Sequence, residues 1–321
     1  MVRGSWDQRT RGLTKGQELL TLSFMEIVKQ VVDLMSRHYV FPDVAREVVG
    51  VLESTAFPVD RAALADAVTR SLQSVNGDKH LRLIHHEDPL PDGHGDDETD
   101  LATMAAWADR TGGGVAAVQR LDDGIAHLDL RPVLFPTVVS GEAIAAAMTL
   151  VAPADALVLD LRGCLGGEPS MVTFICGYLF GAAPVEISGL FERTTGRVAQ
   201  AWTHPYAPGR RFGPDKPLAV LISGTTFSGG EQLAYDLQQT GRATVVGQRS
   251  RGGAHPRQGF RIDDHLELTV PVARSVSPVT GGNWEGVGVI PTVETTPDDT
   301  LPAALALLRE RLATRPGSIL A

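Results

Sequence analysis

Ser228 lies between a strand-like segment and a helix-like segment. Residues 218–222 (LAVLI) form an unbroken apolar run, which is typical of a buried strand in a parallel sheet. Residues 231–239 carry apolar side chains at helical spacing. Backbone N–H groups at a helix start are unpaired and carry partial positive charge, so a serine hydroxyl at this turn can act as a nucleophile beside an oxyanion site.

A simpler interpretation is also open for Ser228. Serine is a common N-cap residue, and Glu231 three positions later completes the spacing of a capping box. The nucleophile interpretation requires a general base elsewhere in the chain.

Composition narrows the class of protein. The 321 residues allow one large domain or two of ordinary size, and 43% are hydrophobic, which is enough for a full core. The net charge of -9 and the lack of a long basic block argue against nucleic acid as a partner. Cys164 and Cys176 suggest no disulfide framework, and no Cys/His spacing typical of a metal site occurs. We therefore expect no metal and no cofactor.

No segment approaches the run of about 18 apolar residues that predicts a membrane span. The N-terminus lacks the apolar core of a signal peptide, so the sequence predicts a cytoplasmic protein without membrane contact.

Hydrophobic periodicity predicts helices at 18–38, 43–54, 61–75, 102–108, 141–151, 169–180, 231–239 and 301–312. It predicts strands at 79–84, 124–130, 156–161, 185–201, 218–222 and 243–247, and a hairpin of 260–262 with 266–272. Alternating strands and helices indicate an α/β fold with a mostly parallel sheet behind a helical N-terminal part. We divide the chain into a mobile lead-in (1–16), an N-terminal helical subdomain (17–84), a linker or loop (85–113) and an α/β catalytic domain (114–321).

Several short segments together resemble the S41 peptidase family, and within it the branch similar to interphotoreceptor retinoid-binding protein. They are 39–42 (YVFP), 76–81 (NGDKHL), 160–167 (DLRGCLGG), 226–231 (TFSGGE) and 283–291 (NWEGVGVIP). The resemblance implies a core similar to crotonase and ClpP with an N-terminal helical subdomain. Because such cores often assemble, it also allows a homo-oligomer.

The resemblance also separates branches of the family. Tail-specific processing members use a Ser–Lys pair and carry a PDZ domain. The region after Ser228 contains no lysine, and the stretch between His80 and Gly124 is too short for a PDZ domain. The chain is therefore more similar to members with a Ser–His–Glu site, as in tricorn-type peptidases.

Carried over by position, the resemblance makes Ser228 the nucleophile, His80 the general base and Glu285 the carboxylate that orients the histidine. Such a relay is what a serine hydroxyl needs at neutral pH. The amide of Gly229, with that of Gly166 or Gly167, would form the oxyanion hole.

Three other residues are candidates for contact with the substrate. Cys164 occupies a position that is often asparagine in the family, and Trp284 can form a wall of the site or simply pack. His255 is a substrate contact or a competing base. Gly229-Gly230 also departs from the small alanines that usually follow the serine.

The sequence thus predicts a serine hydrolase or peptidase that acts on a peptide or related acyl substrate through an acyl-enzyme intermediate. Two alternatives stay open. One is an acyltransferase or cyclase of a biosynthetic pathway, and the other is a non-catalytic binder of an apolar small molecule.

Overall fold

The computed structural model describes residues 15–93 and 97–314. These residues form two compact units. The first unit contains the described residues up to Gly93 together with Arg257–Ala273, and the second contains the rest. Among the described helices, none combines the length and the apolar character that crossing a bilayer requires.

In chain order the helices are α1 (Lys15–His38), α2 (Pro42–Ser54), α3 (Arg61–Gln73), α4 (Asp97–Arg110), α5 (Thr137–Val151), α6 (Pro169–Leu179), α7 (Gly229–Gln239) and α8 (Thr300–Ala313). The strands are β1 (Arg82–His85), β2 (Val115–Arg120), β3 (Ile125–Leu130), β4 (Ala156–Asp160), β5 (Glu186–Glu192), β6 (Arg197–Trp202), β7 (Leu218–Ile222), β8 (Thr244–Gly247), β9 (Arg257–Arg261), β10 (Leu266–Pro271), β11 (Ala273–Val276) and β12 (Val293–Glu294).

The first unit packs α1, α2 and α3 with a small antiparallel sheet in the order β1-β10-β9. β10 is the central strand of this sheet, and all six of its residues are buried. A stripe of α1 that includes Val28, Val31 and Met35 is buried as well, as its helical spacing predicts.

The second unit is built on a six-stranded sheet in the order β12-β8-β7-β4-β3-β2. The strands from β12 to β3 are parallel, and only the edge strand β2 pairs antiparallel within this sheet. Helices α5, α6 and α7 make the crossovers between successive parallel strands. A separate sheet in the order β11-β5-β6 also contains an antiparallel hairpin, β5-β6.

Both faces of the parallel sheet are covered. On one face, Leu157 and Leu159 of β4 pack into the core that includes α5, α6 and α7. On the other face, Val158 packs against Ala304 and Leu308 of α8. Because successive side chains of a strand point to opposite faces, the apolar runs of β4 and β7 serve both layers.

The structure confirms the predicted α/β class and the mostly parallel sheet. It corrects the single strand predicted at 185–201, which is the hairpin β5-β6 turning at residues 193–196 with Gly196 at φ 64°. The short helix predicted at 102–108 is the longer α4, and β2, β11 and β12 are additional strands. Residues 1–14 of the predicted lead-in lie outside the described residues, whereas 15 and 16 belong to α1. The four-part division of the chain stays a prediction.

Candidate active site

Ser228 occupies a strained turn between β7 and α7. Its φ is 50° and its ψ is −120°, and only one other non-glycine residue in the described part of the chain has positive φ. Such a conformation costs on the order of 1–3 kcal/mol and persists where the surroundings impose it. An N-cap residue normally has extended dihedral angles, so capping alone does not account for this backbone. A sharp strand-to-helix turn of this kind exposes the nucleophilic serine of α/β-hydrolases.

A glycine loop lies directly against Ser228. Gly166 and Gly167 have φ values of 137° and 130°, a region that essentially only glycine adopts. A Cβ atom on Gly166 would lie 3.1 Å from Cβ of Ser228, and the loop is fixed because Gly166 O accepts from Leu134 N at 2.9 Å. Within the described residues, the amides of Gly166, Gly167 and Gly229 donate no hydrogen bond. Amides in that position can stabilise an oxyanion.

Cys164 packs between the glycine loop of Gly166 and Gly167 and the start of α7. Its side chain is fully buried, its Sγ donates to Gly166 O at 3.4 Å, and burial raises the pKa of its thiol to about 12. The sulfur also lies 2.9 Å from the position that a Cβ atom on Gly230 would take. Cys164 therefore remains a neutral packing group, and it can influence a substrate only through the loop that it holds.

Glu231 connects the serine turn to the loop of residues 249–256. Its carboxylate accepts from Ser228 N at 2.8 Å, which is one half of the predicted capping box. It also accepts from Ser250 Oγ at 2.5 Å, Gly252 N at 2.6 Å and Gly253 N at 2.9 Å. Burial raises the pKa of Glu231, and these four hydrogen bonds partly offset the increase. The capping-box spacing was the only sequence signal for this residue, and it did not indicate the three further donors.

Glu285 and His255 lie together at the end of that loop. The Glu285 Oε2 atom is 3.4 Å from His255 Nδ1, and it accepts from Ala254 N. Trp284 is buried, and its Nε1 donates to Gly253 O at 2.9 Å. These contacts fasten the 283–289 segment to the loop, so Trp284 has a packing role whatever else it contacts.

His80 belongs to the first unit, where its backbone is held on both sides. Its N–H donates to Asp78 Oδ1 at 3.1 Å, and its carbonyl accepts from Thr269 Oγ1 at 2.6 Å. Asp78 is fully buried and accepts from the Tyr39 hydroxyl at 3.0 Å, and Asn76 Nδ2 donates to that hydroxyl at 2.6 Å. The sequence segments 39–42 and 76–81 therefore form one structural feature, a buried polar network that shapes the turn carrying His80.

The second unit thus brings together most of the predicted site residues. The serine turn meets the glycine loop, and Glu231 links this turn to the loop that holds His255 and Glu285. This arrangement can present a hydroxyl nucleophile beside oxyanion donors, with a carboxylate–imidazole pair on the adjoining loop.

Two family models match the chain. The model of peptidase family S41 matches residues 136–295, and the model described as the N-terminal domain of Peptidase_S41 in eukaryotic IRBP matches residues 10–109. The chain belongs to peptidase family S41.

Two relatives carry the name carboxyl-terminal-processing protease. The protein from Picosynechococcus sp. is 31% identical over 130 residues, which are 39% of this chain and 28% of the relative. The protein from Synechocystis sp. is 29% identical over 129 residues, again 39% of this chain and 27% of the relative. The match spans little more than a quarter of either relative.

Solved structures share the fold over most of the chain. A lipoprotein from Streptococcus agalactiae has a TM-score of 0.59 at 14% identity. The match covers 90% of this chain and 96% of the lipoprotein chain. A putative peptidase from Parabacteroides merdae has a TM-score of 0.59 at 16% identity over 89% and 96%. The photosystem II D1 C-terminal processing protease has a TM-score of 0.52 at 18% identity over 93% and 97%.

Proposed function

We propose that the protein is a serine peptidase that cleaves peptide substrates through an acyl-enzyme intermediate. The observation that carries the proposal is the strained backbone of Ser228 at the start of α7, beside glycines whose amides are not otherwise used. Membership of peptidase family S41 and the similarity to carboxyl-terminal-processing proteases support the peptidase class.

In the proposed mechanism, Ser228 Oγ attacks the scissile carbonyl while His80 takes its proton. Glu285 orients the imidazole and stabilises its charged form, and the amides of Gly229 and of Gly166 or Gly167 stabilise the oxyanion. The imidazolium then protonates the leaving amine, which leaves the acyl group on the serine. Water attacks this ester with the same histidine as base and releases the second product.

The choice of His80 as base rests on the family resemblance and is supported by its rigid backbone. His255 is the competitor, because Glu285 Oε2 lies 3.4 Å from its Nδ1. In the proposed mechanism His255 instead helps to position the Glu285 carboxylate and the loop end.

The first test is covalent labelling with a fluorophosphonate probe. The protein should be labelled at Ser228, and Ser228→Ala should remove the label, whereas Ser170→Ala on the exposed start of α6 should not. His80→Ala should slow labelling by about a thousandfold or more, because the base is lost. His255→Ala should slow it far less, and the exposed His204→Ala should leave it unchanged. An unlabelled but folded protein would refute the nucleophile, and a larger loss in His255→Ala than in His80→Ala would reassign the base.

Labelling does not distinguish hydrolysis from transfer of the acyl group. Mass spectrometry of peptide products formed in ¹⁸O-water, with and without an added amine, makes that distinction. Peptidase activity predicts one ¹⁸O atom in the new carboxylate and little amide product. Dominant amide formation would favour the acyltransferase alternative.

A further inference from the structure

A polar pocket opens at the carboxyl end of the parallel sheet, on the face that α8 covers. It has a volume of about 380 Å³ and is lined by Asp129, Arg131, Asp160, Arg162, Ser223 and Gln248, among others. None of these residues has a role in the proposed peptidase chemistry. The pocket lies wholly within the second unit.

The alternation of side chains along the strands explains why this end of the sheet is polar. On one face of four neighbouring strands, the position at or next to the carboxyl end of each strand is polar. These polar residues are Asp129, Asp160, Ser223 and Gln248, which lie two positions after His127, Val158, Leu221 and Val246, respectively. The apolar members of this face pack against α8, which reaches only the earlier part of the strands. The opposite face packs against α7, the helix that Ser228 precedes. The pocket therefore lies on the face that α8 covers, whereas α7, the helix that follows Ser228, packs on the opposite face.

The pocket contains two acid–base pairs whose charges balance. Arg131 Nε lies 3.1 Å from Asp129 Oδ2, and Arg162 donates to Asp160 from Nε at 2.9 Å and from Nη2 at 2.6 Å. A ligand with a single charge would be attracted by one member of each pair and repelled by the other. A ligand with both charges can satisfy both pairs at once.

The hydrogen-bonding capacity of the pairs is unequal. Asp160 also contacts His127 Nε2 at 3.0 Å, so both of its oxygens have hydrogen-bond partners. Burial raises the pKa of Asp160, but the hydrogen bonds from His127 and Arg162 hold this pKa well below its usual range. Asp129 has Arg131 as its ion-pair partner, and burial together with the charge of Asp160 raises the pKa of Asp129. Asp129 is therefore the carboxylate that a further cationic partner would stabilise most.

The two arginines of the pocket have hydrogen-bond donors available for a ligand. Among the described residues, no hydrogen bond uses Nη1 of Arg162 or either terminal nitrogen of Arg131, and the Arg131 side chain is 57% exposed. Gln248 donates through Nε2 to Thr295 O and Thr300 Oγ1, which leaves its Oε1 as an acceptor in the pocket wall. Guanidinium groups bind carboxylates through paired hydrogen bonds.

We propose that this pocket binds a small zwitterion of the α-amino-acid class, a free amino acid or a short peptide. Asp129 and Gln248 receive the ammonium group, and Arg131 and Arg162 receive the carboxylate. The volume is at the small end of the range of ligand pockets, which suits a molecule of this size.

The test is binding to the full chain, measured by calorimetry and by thermal unfolding. Glycine, L-alanine, L-serine, L-glutamine and L-alanyl-L-alanine serve as probes. N-Acetyl-L-alanine lacks the ammonium and L-alaninamide lacks the carboxylate. At least one zwitterion should bind and raise the melting temperature. Each alanine analogue should bind at least about tenfold more weakly than the corresponding zwitterion, because a charged hydrogen bond is lost.

Variants locate the site. Asp129→Asn and Arg131→Gln should each weaken binding by about tenfold or more. Arg120→Gln on the exposed edge strand β2 is the matched control and should bind as the parent does. Ser228→Ala should also bind normally, which separates this pocket from the peptidase site whether or not the peptidase proposal holds. The proposal is overturned if no probe binds at concentrations up to about 10 mM. It is also overturned if the analogues bind as well as the zwitterion, or if folded Asp129→Asn and Arg131→Gln bind the zwitterion normally.

Discussion

Two buried acids on α7 show how the same chemical group behaves differently with different partners. Glu231 accepts four hydrogen bonds from groups around the serine turn. Asp236 is also buried, but neither of its oxygens has a hydrogen bond of ordinary geometry among the described residues. Burial raises the pKa of Asp236 well above its usual value, and the nearby Gln232 only partly offsets the increase. The first acid organises the site, and the second is a source of instability.

Asp236→Asn should stabilise the protein at neutral pH. Because the folded-state pKa of Asp236 is raised, its contribution to stability is complete below its unfolded pKa of about 3.9 and is lost as pH rises toward the folded pKa. Asparagine does not ionise, so the variant avoids this loss. Urea unfolding should show a gain larger than about 0.5 kcal/mol at pH 7 that shrinks toward pH 4. Asp109→Asn, at an exposed position of α4, should show no such trend, and an equal gain at all pH values would contradict the argument.

Glu231→Ala should have the opposite effect. It removes the acceptor of Gly252 N, Gly253 N and Ser250 Oγ, and each buried donor left unsatisfied costs about 1–3 kcal/mol. We expect a loss on the order of 3 kcal/mol or more in the free energy of unfolding, together with slower labelling of Ser228. The exposed Glu142→Ala on α5 is the control. A change within about 0.5 kcal/mol would show that Glu231 does not fix the loop.

At the scale of elements, the site depends on how closely the start of α7 approaches the 160–167 segment. A Cβ atom on Gly229 would lie 2.4 Å from Gly167 O, and one on Gly230 would lie 2.9 Å from Cys164 Sγ. Cys164 therefore lies directly against Gly230, whereas Gly229 lies against Gly167. Glycine allows an approach that alanine would prevent.

This contact predicts coupling between substitutions. Alanine is normally a better helix residue than glycine by about 1 kcal/mol, yet Gly230→Ala should destabilise the protein because of the contact with Cys164. In Cys164→Ala the sulfur is absent, so adding Gly230→Ala should cost less than it does in the parent. Chemical denaturation of the two single variants and the double variant should give a coupling free energy of about 0.5 kcal/mol or more. Additive effects would show that the contact carries no energy.

Local patterns predicted those elements whose own residues carry a strong signal. The runs of β4 and β7 are recognisable because every residue of these strands is buried, and α1 is recognisable from a buried apolar stripe that includes Val28, Val31 and Met35. β2 was missed because it is an edge strand with a largely exposed, irregular pattern, and β12 because it has only two residues. The turn inside 185–201 was missed because it contains Thr194 and Thr195, a residue type that is common in strands.

At the scale of the whole molecule, contacts between segments that are distant in the chain limit what can be predicted from the sequence. The sequence segments that hold Ser228, His80 and Glu285 were identified by resemblance, because no local periodicity assigns a catalytic role. The Tyr39–Asp78 hydrogen bond and the contact of Cys164 with Gly230 depend on tertiary packing, which the sequence does not display. The same holds for the pairing of β1 with β10, whose residues are more than 170 positions apart in the chain.

That pairing makes the first unit discontinuous. Its sheet consists of one strand from the N-terminal part and two from Arg257–Ala273, with β10 between β1 and β9. Leu83 of β1 and Leu268 of β10 are partners in the register and are both buried. Residues 15–93 should therefore be held to Arg257–Ala273 by non-covalent contacts as well as by the peptide backbone.

Cleavage of the backbone in the exposed turn at Asp92–Gly93 tests this at the scale of the whole molecule. A specific protease site inserted there should be cut without separating the fragments, because the buried contacts of β1 and α1 with β10 do not depend on that peptide bond. Gel filtration should show one species containing both fragments, and Ser228 should still react with the fluorophosphonate probe. Leu268→Asp in the same protein places a charge opposite Leu83 and should release the N-terminal fragment after cleavage, whereas the exposed Val279→Asp should not. If the N-terminal fragment separates after cleavage without the Leu268 substitution, its contacts with β10 are not sufficient to keep it bound.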